Sequence, residues 1–328
     1  MRDPADDRGL FDAMIGDGRS LLIVTALFLL ASGAFAVFQA ATGHFLPQDA
    51  AYLGMSAREL CALHGCRILQ FMIHDRVSFG GVLIGVAVMY LWLCLFPLRR
   101  GESWGWWALA ASGSAGFLSF LAYLGYGYLD TWHGAATLAL LPMFVAGLIR
   151  TRALRQTPIE RPRLDLGSAA GIGRALLLLA AFGIIAGGVT ITIVGMTSVF
   201  VPQDLEFMQT DARQIGAINT HLIPLIAHDR AGFGGALVSS GIAMFVTLLW
   251  APPSRSLWQA LTITGAAGFG AAIGVHPAIG YVNVTHLGPA VFGACVFVVG
   301  LALTAPKRAG VPITAASRSR RSTRTASW

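Results

Sequence analysis

The sequence has 328 residues, of which 55% are hydrophobic and only 12% are charged, and its mean hydropathy is +0.66. Soluble domains average about 25% charged residues, so this composition indicates an integral membrane protein. The net charge of +7 does not indicate nucleic-acid binding, because the basic residues lie in short clusters between apolar runs. The first apolar run, 21–38, is too long for a signal-peptide core and follows an acidic segment, so we expect a retained helix.

Eight apolar runs along the chain approach the roughly 20 residues that a helix needs to cross a bilayer. They cover residues 20–41, 77–98, 104–127, 132–149, 173–199, 231–251, 257–280 and 285–304. The sequence therefore predicts an all-α polytopic protein with eight transmembrane helices, whose surroundings are the lipid bilayer.

The two halves of the chain repeat each other. His74-Asp75-Arg76 returns as His228-Asp229-Arg230, and each triad is followed after two residues by Phe-Gly-Gly. Residues 20–150 therefore form one four-helix repeat and residues 173–305 a second, joined by a cytoplasmic linker at 151–172. An even number of helices places both repeats in the membrane the same way up, which predicts a pseudo-twofold axis along the membrane normal.

The orientation follows from the basic residues, which are enriched on the cytoplasmic side of membrane proteins. If residues 1–19 are cytoplasmic, most of the 23 basic residues lie inside, and the exceptions are Arg58, Arg67, Arg76, Arg213 and Arg230. We therefore expect both termini on the inner side of a bacterial cytoplasmic membrane, with residues 306–328 as a disordered basic tail near anionic headgroups. The duplicated polar residues then lie at the outer face.

Four duplicated histidines form the candidate site, because ionisable groups at membrane depth are costly and usually functional. His74 and His228 open the second helix of each repeat, and His133 and His286 lie on the first turn of the fourth. Two imidazoles from facing helices of one four-helix bundle can bind a metal ion or both axial positions of a haem iron. We therefore expect His74 to pair with His133, and His228 with His286, around haem b or a metal.

Other duplicated polar residues are expected to support these histidines. Arg76 and Arg230 are placed to reach haem propionates. The remaining supporting residues are Asp75, Asp229, Tyr128, Tyr281, Asp130 and Asn283. The other four histidines break the repeat and are not expected to be essential ligands: His44, His64, His221 and His276.

The same residues also have structural explanations. Asp130 and Asn283 are suited to cap the N-terminus of the fourth helix of each repeat, and a first-turn histidine can simply be solvated. Asp75 and Arg76 can pair with each other or with neighbouring helices and serve only orientation. A proton-handling role for the histidines is equally open.

The layout resembles that of the haem A synthase family, in which eight helices form two tandem four-helix bundles with one histidine on helices two, four, six and eight at the outer side. The resemblance covers about residues 20–305. It implies that His74 and His133 hold a substrate haem in the first bundle. It also implies that His228 and His286 ligate a haem b cofactor in the second.

The sequence departs from that family at two positions in each repeat. The family carries an acidic residue one helical turn before its histidine, where this sequence has Phe71 and Leu225. The histidine of the family is usually followed directly by arginine, whereas Asp75 and Asp229 intervene here. The close similarity of the two repeats favours equivalent roles for their histidines.

Cys61 and Cys66 lie in the first outer loop, where the family commonly carries a cysteine pair. This compartment is oxidising, so a disulfide can form there. Ser56 and Glu59 have the spacing of a capping box, which predicts a short helix across Cys61, and two cysteines five residues apart on one continuous helix point in different directions. A disulfide therefore requires the helix to end near His64-Gly65, and the sequence leaves the pairing open.

These observations favour a haem-binding membrane protein with redox or haem-handling activity at the outer face, partnered by haem or a quinone-like carrier. The main alternative is a two-repeat transporter for a small solute or protons, although no predicted helix carries a charge near mid-membrane, where carrier sites usually lie. A non-catalytic membrane subunit is a third alternative. Hydrolase and nucleotide-binding functions are disfavoured, because neither a Gly-x-Ser-x-Gly motif nor a Walker loop is present.

Overall fold

The computed structural model describes residues 9–63, 65–120, 128, 131–155 and 160–306, and the regular structure within them is helical. The α-helices are α1 (Leu10–Ile15), α2 (Arg19–Ala41), α3 (Pro47–Leu53), α4 (Ala57–Leu63), α5 (Arg67–Leu95), α6 (Ser103–Ser119), α7 (Thr131–Thr151), α8 (Ala169–Met196), α9 (Pro202–Met208), α10 (Ala212–Ile218), α11 (Leu222–Trp250), α12 (Arg255–Ile279) and α13 (Val284–Leu303). Seven of them are long and apolar enough to cross a membrane: α2, α5, α7, α8, α11, α12 and α13. The expected all-α membrane class is therefore confirmed, whereas nearly all of the predicted tail, from residue 307, lies outside the described residues.

Two membrane helices begin earlier than the hydropathy predicts. α5 begins at Arg67 instead of residue 77, and α11 begins at Leu222 instead of residue 231. The prediction that His74 and His228 open these helices is therefore wrong, since both lie about 10 Å inside them. The polar triad does not end either helix, because its charged side chains find partners on other helices.

The helices α5 and α11 form the centre of the bundle. In the most apolar 18-residue stretch of each helix, 61% of the residues in α5 and 67% of those in α11 are buried, against 17–22% in the other five candidate spans. The surrounding helices instead expose large apolar side chains, including Phe28, Leu138 and Phe292. Such a surface is suited to hydrocarbon rather than water.

Glycines bring the outer helices close to the two central ones. A Cβ atom added to Gly80 of α5 would lie 2.7 Å from the carbonyl oxygen of Gly33 on α2. A Cβ atom added to Gly188 of α8 would likewise lie 2.7 Å from the carbonyl oxygen of Gly234 on α11. Small residues at these crossings allow backbone-to-backbone packing, as is common between membrane helices.

The short helices α3, α4, α9 and α10 form a cap over the ends at which α5 and α11 begin. Leu53, Leu60, Met208 and Ile215 from these four helices are buried in one apolar cluster together with Phe71 of α5. This cluster is separate from the larger core along the membrane helices. The polar triads of α5 and α11 therefore lie directly beneath the cap.

Hydrogen bonds join the parts of the cap that come from the two halves of the sequence. Arg67 donates from Nη1 to the carbonyl oxygen of Phe207 (2.8 Å). Asn219 donates from Nδ2 to the carbonyl oxygen of Leu53 (2.7 Å). The cap is therefore one interlocked layer.

A disulfide joins Cys61 to Cys66 within the cap. The predicted capping box is present, because the Ser56 amide donates to Glu59 Oε2 (2.6 Å) and the Glu59 amide donates to Ser56 Oγ (3.2 Å). The helix that it starts, α4, ends at Leu63. The chain then turns before α5, which is the break that the disulfide requires.

Candidate functional site

Five side chains form a continuous polar chain beneath the cap. The Tyr128 hydroxyl donates to Asp49 Oδ1 (2.7 Å), and Asp49 Oδ2 lies 2.8 Å from Nη1 of Arg76. Arg76 donates from Nε to Asp229 Oδ2 (2.8 Å), and the other oxygen of Asp229 lies 3.2 Å from Nδ1 of His228. We call these five residues the first polar chain.

The matching residues of the sequence form a second polar chain. The Tyr281 hydroxyl donates to Asp204 Oδ1 (2.8 Å), and Asp204 Oδ2 lies 2.8 Å from Nη1 of Arg230. Arg230 donates from Nε to Asp75 Oδ2 (3.2 Å), and Asp75 Oδ1 lies 3.1 Å from Nδ1 of His74. Each arginine thus bridges one aspartate of its own half and one of the other half.

Most of the charged side chains of the two polar chains are buried, so each of them needs an oppositely charged partner. The side chains of Asp49, Asp75 and Asp204 are at most 3% exposed, and that of Arg230 is 7% exposed. An unpaired charge at such positions costs several kcal/mol. Each polar chain combines two carboxylates with one guanidinium, so it places a formal charge of −1 beside its histidine. That negative charge favours a cation near the imidazoles.

Asp49 and Asp204 were left out of the predicted site, although a signal was present because both follow a duplicated Pro-Gln pair. The structure shows that each accepts a hydrogen bond from a tyrosine and pairs with an arginine. Burial, reinforced by the charge of Asp204, raises the pKa of the Tyr281 phenol, so its hydroxyl stays protonated as the donor. The tyrosines therefore fix the aspartates in place.

The structure pairs the duplicated histidines across the two halves. The ring centres of His133 and His228 are 4.9 Å apart, and those of His74 and His286 are 5.5 Å apart. The predicted pairing within each repeat is therefore wrong. The physical reason is the helix packing, since α5 packs against α12 of the second half and α11 packs against α6 of the first. His74 of α5 therefore lies beside His286 of the second half, and His228 of α11 lies beside His133 of the first half.

A third histidine joins one of these pairs. The ring centre of His276, on α12, lies 4.5 Å from that of His74 and 5.3 Å from that of His286. One ligand nitrogen of each of the three residues lies within 4.8 Å of the others. The expectation that His276 is not an essential ligand rested on its breaking the repeat. In the alignment that matches Tyr128 to Tyr281, His276 matches Tyr123.

A cavity of about 290 Å³ adjoins the first polar chain. Its walls are mainly apolar side chains of α2, α5, α6, α7 and α11. His133, His228 and Arg76 line it beneath the cap, and Tyr90 and Ser239 line it further along the helices. His228 and Ser239 are eleven residues apart on α11, so the cavity extends about 16 Å along that helix. It has the character of a small-molecule site, with apolar walls and a few polar groups.

The remaining predicted site residues have simpler places in the structure. Asn283 caps α13, because its side chain accepts from the amides of Thr285 (3.0 Å) and His286 (3.1 Å). Asp130, its counterpart, lies outside the described residues. Arg76 and Arg230 each pair with two carboxylates, which is the pairing with neighbouring helices that the sequence left as an alternative.

The arrangement offers buried imidazoles that can bind a metal ion, carboxylates that fix the ring orientations, and an apolar cavity beside one of the histidine pairs. Comparisons of the chain with protein-family models, with curated proteins and with solved structures found no match.

Proposed function

We propose that the chain spans the membrane eight times as two tandem four-helix repeats related by a pseudo-twofold axis along the membrane normal. The eighth span is α6 (Ser103–Ser119), whose apolar sequence continues to residue 127. The matching glycine crossings of α2 with α5 and of α8 with α11 support this arrangement, as do the two matching polar chains. In this proposal both termini are cytoplasmic and the cap is at the outer face.

We propose that this membrane protein binds haem b, with His133 and His228 as the iron ligands, and carries out redox or haem-handling chemistry at that face. The observation that supports this most is a histidine pair from facing helices at the polar end of an apolar cavity. Bound haem would supply one-electron redox chemistry. The resemblance to the haem A synthase family agrees with haem, whereas Phe71 and Leu225 in place of its acidic residue argue against oxygenation.

The residues around the cavity suit this group. Asp229 contacts Nδ1 of His228 and so fixes the ring with Nε2 as its ligating nitrogen. Two imidazoles that share one metal ion through bonds of about 2.0 Å have ring centres about 6 Å apart, so His133 and His228 would have to move apart by about 1 Å to hold the iron. His133 lies on the first turn of α7 and is half-buried, which leaves room for that movement. His74 and His286 are crowded by His276, so we assign haem to the first pair only.

The experiment is to purify the protein from haem-replete cells and record its absorption spectrum and haem content. We expect the bands of six-coordinate, low-spin haem b at about one haem per chain. His133→Asn and His228→Asn should each lower the retained haem at least about tenfold, whereas His44→Gln, on an exposed histidine outside the site, should not. Colourless protein, or full haem retention in both variants, would contradict the proposal.

One observation favours a second function, proton-coupled transport. The two polar chains link ionisable groups of both halves beneath the cap, as a pathway for protons would require. Such a protein would acidify or alkalinise proteoliposomes loaded with a pH-sensitive dye, and Asp229→Asn would abolish the signal. A colourless protein that also moves no protons would instead be a non-catalytic membrane subunit.

A further inference from the structure

We propose that His74, His276 and His286 form a separate binding site for one late first-row transition-metal ion, Cu²⁺ or Zn²⁺. This site lies on the second polar chain and is independent of the haem proposed at the first. The three imidazoles come from α5, α12 and α13, so the ion would join the two halves of the chain.

The distances place the three imidazoles in one cluster. One ligand nitrogen of each lies within 4.8 Å of the others. Around a tetrahedral Zn²⁺ with bonds of about 2.0 Å, ligand nitrogens are about 3.3 Å apart. The separations between the ligand nitrogens must therefore shorten by up to about 1.5 Å, which rotations of the three side chains can supply.

The burial of His276 is an independent indication that something binds there. The residue is 3% exposed, and within the described residues its Nε2 atom has no hydrogen-bond partner. A buried polar atom without a partner destabilises the fold. A metal ion would bind that nitrogen by accepting its lone pair.

The opposite nitrogens of two of the three rings are held as metal-binding histidines usually are. Nδ1 of His74 contacts Asp75 (3.1 Å), and Nδ1 of His276 contacts the carbonyl oxygen of Ala272 (2.6 Å). These two acceptors favour the tautomer with the proton on Nδ1, which leaves Nε2 as the metal ligand. Nδ1 of His286 lies 3.7 Å from Asp204, which is too far for a hydrogen bond.

The surrounding charge and the ligand set favour a divalent ion of intermediate softness. Asp75, Asp204 and Arg230 together carry a formal charge of −1, which partly compensates a dication in this buried place. Neutral imidazoles suit Zn²⁺ and Cu²⁺ and bind Mg²⁺ or Ca²⁺ poorly. Three histidines leave one coordination position open for water or a small ligand, as in catalytic zinc sites. The ring of Tyr281 stacks on that of His286 (4.5 Å between centres) and orients it.

Within the described residues, two imidazoles lie together beside the first polar chain, His133 and His228, and the sequence of the first half has Tyr123 at the position that matches His276. We therefore expect one such ion per chain. The three-histidine cluster can therefore be compared with the His133–His228 pair in the same protein.

The test is metal binding by the full-length protein, purified in detergent with an affinity tag that lacks histidine and stripped with a chelator. Titration with Cu²⁺ or Zn²⁺ should show one ion per chain with a micromolar or lower Kd. His276→Asn keeps a side-chain amide that can donate to Ala272 but removes Nε2, and we expect it to weaken binding about 100-fold or more. The Cu²⁺-loaded protein should show nitrogen hyperfine structure in its electron paramagnetic resonance spectrum, which His276→Asn should change.

The controls separate this proposal from the haem proposal and from loss of folding. His44→Gln should bind the ion as the unmodified protein does, and the unfolding temperature of metal-free His276→Asn should show whether the fold is intact. His228→Asn should lose haem but keep the ion. No binding at micromolar concentrations by the unmodified protein, or equal affinity in a folded His276→Asn variant, would overturn the metal site. Loss of the haem bands in His276→Asn without metal binding would also overturn it, because the cluster would then belong to a haem site.

Discussion

Arg230 links several parts of the chain through the second polar chain. Its guanidinium bridges Asp75 and Asp204 and donates to the carbonyl oxygen of Val199 (2.7 Å). It also lies over the ring of Phe71, 4.7 Å from the ring centre. A single side chain of α11 thereby holds α5, α9 and the segment that leads into α9.

Replacing this arginine should therefore be costly. Arg230→Leu leaves two buried carboxylates without their cation, and we expect the free energy of unfolding to fall by about 3–5 kcal/mol. Denaturant titration in detergent measures this change. Arg255→Leu, at an exposed arginine near the start of α12, should change the free energy by less than about 0.5 kcal/mol. Equal effects of the two substitutions would show that the ion pairs of Arg230 contribute little.

Among single residues, the sequence identified the duplicated histidines and the aspartates beside them as candidates, and Asn283 as an N-cap, because each repeat independently marks the same positions. His276 could not be found in this way, since it is not duplicated. Its place beside His74 depends on α12 packing against α5, and no local pattern in the sequence encodes that contact. The pairing of His133 with His228 escaped prediction for the same reason.

The helices themselves were more predictable than their contacts. The observed ends of α2, α12 and α13 lie within two residues of the predicted ones, because long apolar runs bounded by polar residues are a strong signal. The starts of α5 and α11 were misplaced because a His-Asp-Arg triad lowers the local hydropathy. Those charges are compensated by side chains on other helices, which a hydropathy window does not register.

The close crossing of α8 with α11 can be tested with a matched pair of glycines on one helix. A Cβ atom at Gly188 would lie 2.7 Å from the carbonyl oxygen of Gly234, whereas one at Gly183 meets nothing within 4 Å. We expect Gly188→Ala to lower the free energy of unfolding by about 1–3 kcal/mol, since the helices must move apart.

Gly183→Ala should instead be neutral or slightly stabilising, because alanine favours a helix by about 1 kcal/mol over glycine. Thermal or denaturant unfolding of the two variants, measured in one detergent, gives the comparison. If both substitutions stabilise the protein equally, α8 and α11 are not packed as closely as the structure places them.

Each histidine cluster takes residues from both halves of the chain. Asp75 and His74 belong to the first half, but His74 lies with His276 and His286 of the second half. Asp229 and His228 belong to the second half, but His228 lies beside His133 of the first half. Neither half of the chain contains a complete set of these groups.

Because Asp75 and Asp229 contact histidines of different clusters, replacing each of them should affect a different ligand. Asp75→Asn should lower the Cu²⁺ or Zn²⁺ affinity of the three-histidine cluster about 10–100-fold and leave the haem content nearly unchanged. Asp229→Asn should do the reverse. Haem and metal contents of the same purified samples measure both effects. If either substitution lowered both contents equally, the two sites would not be separate.

The crossed construction also bears on how such a chain can arise. Two copies of a single four-helix unit, related by a twofold axis, would each lend a histidine and an aspartate to the other, so neither copy would work alone and both sites would be identical. Once the copies are joined in one polypeptide, a substitution can enter one of them without its twin. The sequence has such a difference where His276 aligns with Tyr123, and it would allow the two proposed centres to differ chemically.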